Sequence, residues 1–239
     1  MKKLSADTLN KFNSDIISIL SADRLESYEG SIDQYYENRL LALQAGHKIA
    51  ELEVFLRNKL DFCLKDLVGE EWIRTPKSLE FVKEKKEPIE TLTHSQILSK
   101  LMLGEVIALI NTYKIEHYMI DLRDMDLKKY HWSNNGFFKI DGKKTYFSNV
   151  AKVEIVLCLI REIRNRCFHW ENFLKTRLMG GITYPRITTV YPKNQSKKNR
   201  TIIGVMPEMI LEFLDDLLRS IKNPTIEKFQ DIEMKYKGK

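Results

Sequence analysis

Between Ser31 and Gly69 the chain places apolar residues at Ile32, Tyr35, Leu43, Ile49, Leu52, Phe55, Leu56, Leu60, Leu64 and Leu67. This spacing is that of one face of a long α-helix. Ser31 offers a side-chain oxygen to the first free N–H groups of the helix, and Gly69 suits its C-terminal cap. Gly46 is the point at which it could kink or split. The remaining chain favours helix as well. With 43% hydrophobic and 30% charged residues and only 10 Gly and 6 Pro in 239, it reads as a folded chain rather than a disordered or fibrous one.

Leu9, Phe12, Ile16, Ile17 and Leu20 form the stripe of a short amphipathic helix, expected to dock as an N-terminal arm over residues 1–30. Ser21 caps a second short helix that ends at Gly30. A polar connection runs from Arg74 to Leu92 and includes the solvated run Lys83 to Glu87. Thr93 then caps a helix carrying Ile97, Leu101, Val106 and Ile110. Ser133 to Gly136 is loop-rich, and Gly142 marks another turn. Ser148 begins a helix expected to reach about Phe173 and to stop before Gly180 and Gly181. The β-branched runs 186–191 and 201–205 flank a basic loop and predict a two-stranded hairpin. Pro207 suits the first turn of a last helix bearing Met209, Ile210, Phe213, Leu217 and Ile221. The expected architecture is mainly helical with this one hairpin. The principal domain spans 31–222 and a tail spans 223–239.

The longest apolar runs, such as Val153 to Ile160, fall well short of the roughly 20 residues that cross a bilayer. The first residues carry no apolar core of a leader peptide, so a cytoplasmic protein is expected. Cys63, Cys158 and Cys167 are widely spaced in apolar contexts and read as reduced core thiols. Charge is uneven. From Arg161 to Arg200 ten basic residues face only Glu162 and Glu171, a local +8 in a chain that totals +6, so a polyanion is drawn to this stretch.

On a helical wheel of 100° per residue, Val150, Val153, Val156, Leu157, Ile160, Ile163, Cys167 and Phe168 surround Arg164, which puts a guanidinium inside an apolar stripe. A charge there must reach an acid, snorkel outward, or face a cleft that binds an anion. Asn165 and His169 share a face one turn apart, whereas Arg164 and His169 diverge by about 140°. Two copies of this helix across a two-fold axis can bring both groups to one composite site.

These residue types suit metal-free cleavage of RNA. An imidazole can move protons between the ribose 2′-hydroxyl and the leaving 5′-oxygen, a guanidinium can stabilise the phosphorane-like charge, and an asparagine can orient the phosphate. No carboxylate cluster or His/Cys spacing suggests a metal, and no cofactor is expected. Glu53 lies one turn before Arg57, so an intrahelical ion pair is the simpler reading of that arginine; the other reading has Arg57 contact RNA. Trp170, Phe168 and Phe173 are core candidates before they are base-stacking platforms. His47, His94, His117 and His131 are scattered and suggest no site.

The segment Arg164-Asn165-Arg166-Cys167-Phe168-His169, late on a long helix, resembles the Arg-x4-6-His motif of HEPN ribonucleases, including the polar residue after the arginine. Leu52 to Leu60 (LEVFLRNKL) resembles the LEVxLRNxI block of Abi-like, abortive-infection HEPN proteins, and Ser21 to Tyr28 (SADRLESY) resembles their N-terminal ISxxRLxxY element. The blocks follow the family's order over roughly Leu20 to Ile221. The resemblance implies a helical homodimer and a metal-independent endoribonuclease used as a toxin or in phage defence. Arg164, Asn165 and His169 would form its catalytic set, and Arg57, Asn58 and Arg166 would contact RNA. What would keep such a nuclease silent is left open by the sequence: an antitoxin or other regulatory partner, a phage trigger or a modifying enzyme could each supply the control. Trp170 stands where many relatives carry a second histidine. Some members of the family are non-catalytic RNA- or protein-binding dimers, which is the alternative.

Overall fold

The computed structural model describes residues 3–82, 89–196 and 199–227. Eleven α-helices are seen among them: α1 (Ala6–Ser14), α2 (Ile16–Leu20), α3 (Ala22–Glu26), α4 (Ile32–Val68), α5 (Pro76–Val82), α6 (His94–Ser99), α7 (Leu103–Tyr113), α8 (Glu116–Met119), α9 (Asn149–His169), α10 (Ile210–Ser220) and α11 (Pro224–Glu227). Three antiparallel hairpins join them: β1 (Phe137–Ile140) with β2 (Lys143–Tyr146), β3 (Thr176–Met179) with β4 (Ile182–Pro185), and β5 (Ile187–Tyr191) with β6 (Thr201–Val205).

The long helix α4 runs unbroken through Gly46, capped as its sequence predicts. Ser31 Oγ accepts from the Gln34 N–H at 3.2 Å, and the Gly69 N–H returns to Leu64 and Lys65. Its inner face buries Ile49, Leu52, Leu56, Leu60 and Leu64 against Val153, Val156, Leu157, Ile160 and Ile163 of α9, and against Phe213, Leu214, Leu217 and Leu218 of α10. Each such side chain contributes about 1.5–3 kcal/mol through removal from water. The β5–β6 hairpin lies on α9 and adds Ile187, Ile203 and Val205 to the same core.

Four expectations need correction. Every apolar residue of α1 and α2 is exposed or only partly covered and none is buried, so these first two helices do not dock on this chain, whereas Leu25 of α3 and Tyr28 after it are buried. The helix begun at Thr93 breaks into α6 and α7, because a new capping arrangement forms at Met102, whose N–H is bonded by Glu105. The helix begun at Ser148 ends at His169, not near Phe173; Trp170 takes left-handed backbone (φ 53°) and returns its N–H to Arg166 and Cys167. Finally, one hairpin is expected and three are seen: Gly180 and Gly181, before which the helix does stop, turn the β3–β4 hairpin with φ of 59° and 77°, the pair of positive values a tight twisted turn requires. The run Lys83 to Glu87 and Lys235 to Lys239 lie outside the described residues.

Candidate functional site

The motif occupies the last turn and a half of α9, so its side chains fan out from a helix end instead of from one face. Arg164 points toward α4. Its Nε lies 4.0 Å from Glu53 Oε2, its guanidinium stands over the Phe168 ring with 4.7 Å to the centroid, and its buried Nε has no hydrogen-bond acceptor. Glu53 is already engaged, since Oε1 accepts from Arg57 Nη2 at 2.8 Å. The same Nη2 donates to Leu101 O at 2.8 Å, and Arg57 Nε is also buried without an acceptor. Two guanidiniums therefore share one carboxylate and leave a local charge of +1. Arg57 makes the intrahelical ion pair and also belongs to the Arg164 cluster. Of the three outcomes open to Arg164, the side chain takes a mixture: it reaches an acid at long range and stays about one-quarter exposed.

His169 is exposed and faces elsewhere. It lines a cleft of about 470 Å³ together with Arg24, Arg166, Trp170, Lys175 and Arg186, among others, and Arg164 is not in its wall. The divergence expected from the wheel is thus present: the chain by itself does not bring Arg164 and His169 to one cleft. Asn165 is partly buried and makes no side-chain hydrogen bond among the described residues; Asn58 is exposed on α4 and lines neither the cluster nor the cleft. Arg166 pairs with Glu171 at 2.9 Å.

The cleft depends on Asn38, a buried residue of α4 that pattern reasoning does not single out. Its Nδ2 donates to Tyr28 Oη at 2.9 Å and to Glu171 O at 3.0 Å, and its Oδ1 accepts from the Phe173 N–H at 2.6 Å. Asn172 Nδ2 donates to Ser27 O at 2.6 Å. These bonds fasten the chain leaving α9 to the turn after α3. The only sign of Asn38 in the sequence is a short amide on the inner face of an amphipathic helix, a place where a polar group needs buried partners. Arg24 and Arg186 are likewise wall residues; Arg24 sits inside the Ser21 to Tyr28 block and Arg186 inside the basic stretch.

The aromatic residues divide. Phe173 is core, Trp170 packs under Arg39 with 4.2 Å from guanidinium to ring, and Phe168 is 55% exposed. Burial pushes the Cys167 thiol up to about 12, against the nearby Arg164 charge that works to lower it, so it stays a thiol and a packing residue. Among the described residues no group of three His, Cys, Asp or Glu side chains is placed to hold a metal ion, and no helix is long and apolar enough to cross a membrane.

Comparison with known proteins yields no family model, no curated protein and no solved structure that matches this chain.

Proposed function

We propose that the chain is a homodimeric, metal-independent endoribonuclease of the HEPN type and Abi-like class, acting in phage defence or as a toxin. The observation that carries this reading is the half-buried, under-neutralised Arg164 on the same helix end as an exposed His169 that opens into a cationic cleft. A structural arginine would be expected to complete its bonds to an acid; this one leaves its Nε unbonded and shares its only nearby carboxylate with Arg57.

In this reading one copy supplies His169 and its partner supplies Arg164. The imidazole accepts the 2′-hydroxyl proton as the 2′-oxygen attacks phosphorus, and the bond from phosphorus to the 5′-oxygen breaks. The leaving 5′-oxygen takes a proton, which gives a 2′,3′-cyclic phosphate and a 5′-hydroxyl end. Arg164 stabilises the charge that accumulates on the phosphoryl oxygens, and Asn165 orients them. A second copy has a place to bind: α4 leaves Tyr36, Leu40, Leu43 and Val54 exposed along one line of its outer face.

The separation of Arg164 from the His169 cleft within one protomer favours a second reading, a non-catalytic RNA- or protein-binding dimer. Incubating the protein and its His169→Ala variant with total RNA in excess EDTA decides between them. Cleavage by the parent alone, leaving 2′,3′-cyclic phosphates, supports the nuclease. Salt-sensitive RNA binding without product supports the binding module.

A further inference from the structure

The cleft beside His169 has features that a proton-transfer role for that residue does not use. Arg24, Arg166, Lys175 and Arg186 contribute four cations to its wall, against Asp23 and Glu171. Only Arg166 is ion-paired, and its partner Glu171 is itself exposed; among the described residues Arg24, Lys175 and Arg186 have no carboxylate partner. Two guanidinium donors at the wall, Arg166 Nε and Arg186 Nε, are shut off from solvent with no acceptor. A buried donor without an acceptor is unfavourable, and both of these belong to residues, from separate stretches of chain, that line one cavity. Guanidinium groups lining one wall suit the oxygens of a phosphate, which accept from more than one donor.

We infer that this cleft is a phosphate subsite for a single RNA strand, holding the phosphodiester adjacent to the one at which His169 acts. The assignment of His169 rests on the proposed nuclease reading; the phosphate site itself does not. A strand, and not a free nucleotide, fits the distribution of the cations: Arg24 comes from α3, Arg166 from α9, Lys175 from just before β3 and Arg186 from the β4–β5 corner. Cations drawn from four separate elements are the pattern that successive phosphates of one strand would use.

The test titrates the wild-type chain with fluorescein-labelled 2′-O-methyl oligouridine, which lacks the attacking hydroxyl and cannot be cleaved by the proposed route. Fluorescence anisotropy is read at several salt concentrations. Arg24 and Lys175 are both exposed, so Arg24→Gln and Lys175→Gln fold as the parent does. Each is expected to weaken binding about fivefold and to lower the slope of log affinity against log salt by about 0.7, the value for one single-strand phosphate contact. Lys139→Gln, an exposed cation on β1 outside the cleft, should leave both unchanged. Unchanged affinity and slope in the two cleft variants overturns the proposal, and uridine monophosphate competing as tightly as the oligomer overturns the strand assignment. If the oligomer binds through the cleft yet natural RNA yields no product, the nuclease reading fails while the phosphate subsite stands.

Discussion

Glu53 Oε2 lies 4.0 Å from Arg164 Nε across the contact between α4 and α9, while the other oxygen of that carboxylate holds Arg57. One acid thus sets the distance between two half-buried cations. Glu53→Gln removes the charge and keeps the shape, leaving the guanidiniums to repel one another in a poorly hydrated place. A loss of about 1–2 kcal/mol in urea unfolding is expected, with RNA cleavage reduced in step as Arg164 loses its tether. Arg164→Met should differ in kind: stability stays within about 1 kcal/mol of the parent, since Met fills the apolar stripe, whereas cleavage falls by at least about 100-fold.

His169 is exposed and holds no part of the core. His169→Ala is therefore expected to change stability by less than about 0.5 kcal/mol while lowering single-turnover cleavage by about 10²–10⁴-fold. Equal loss of stability and activity would count against the assignment.

Asn38 predicts the opposite pattern. Asn38→Ala leaves the Tyr28 hydroxyl, the Glu171 carbonyl and the Phe173 N–H without their partner in a buried place, at a cost of about 3 kcal/mol in denaturant unfolding. Asn38→Asp should not recover it, because an ionised carboxylate cannot donate to the Glu171 carbonyl and carries an unpaired charge into a buried place.

These residues also mark what the sequence reveals and what it does not. The helices α4 and α9 are legible because Ser31, Ser148 and Gly69 cap an unambiguous 3.6-residue period, and β5–β6 because its β-branched runs flank a turn. The β3–β4 hairpin is not, because strands of only four residues, with β3 almost wholly exposed, are too short to carry a readable alternation; the Gly180-Gly181 pair is its only mark. Arg164 stands out on a wheel as a charge in an apolar stripe. That Glu53 would lie beside it depends on how α4 and α9 meet, and no periodicity within either helix encodes that register.

Two groups of acids should act oppositely with pH. Burial works to raise the Asp61 and Asp216 carboxyls, but hydrogen bonds from Lys65, Trp72 and His94 to the first, and from Lys129, Tyr130 and Arg219 to the second, outweigh it and hold both below their ordinary value. A depressed carboxylate gives stability that is complete above its unfolded pKa and lost as pH falls through the folded one, so unfolding should set in below about pH 4. Asp61→Asn should flatten that acid limb in denaturant titrations across pH.

Glu116 is 5% exposed, and burial, reinforced by the Glu154 charge, pushes its carboxyl above the ordinary 4.5. A raised acid contributes fully below its unfolded pKa and loses that contribution as pH rises through the folded one. Glu116→Gln should accordingly match the parent near pH 4 and exceed it by about 1 kcal/mol at pH 7, as read from urea midpoints.

The closure of the cleft has a consequence for how the protein is made. Its walls join residues 21–28 to residues 166–186, and the bonds that fasten them, Asn38 to Glu171 and Asn172 to Ser27, bridge 133 and 145 positions of chain. A ribosome must therefore release Arg186 before the cleft can exist, and the contact that completes it is among the most distant in sequence and so among the slowest to form. A growing chain therefore carries the whole of α4 long before it can carry the cleft that Asn38 of that helix holds together.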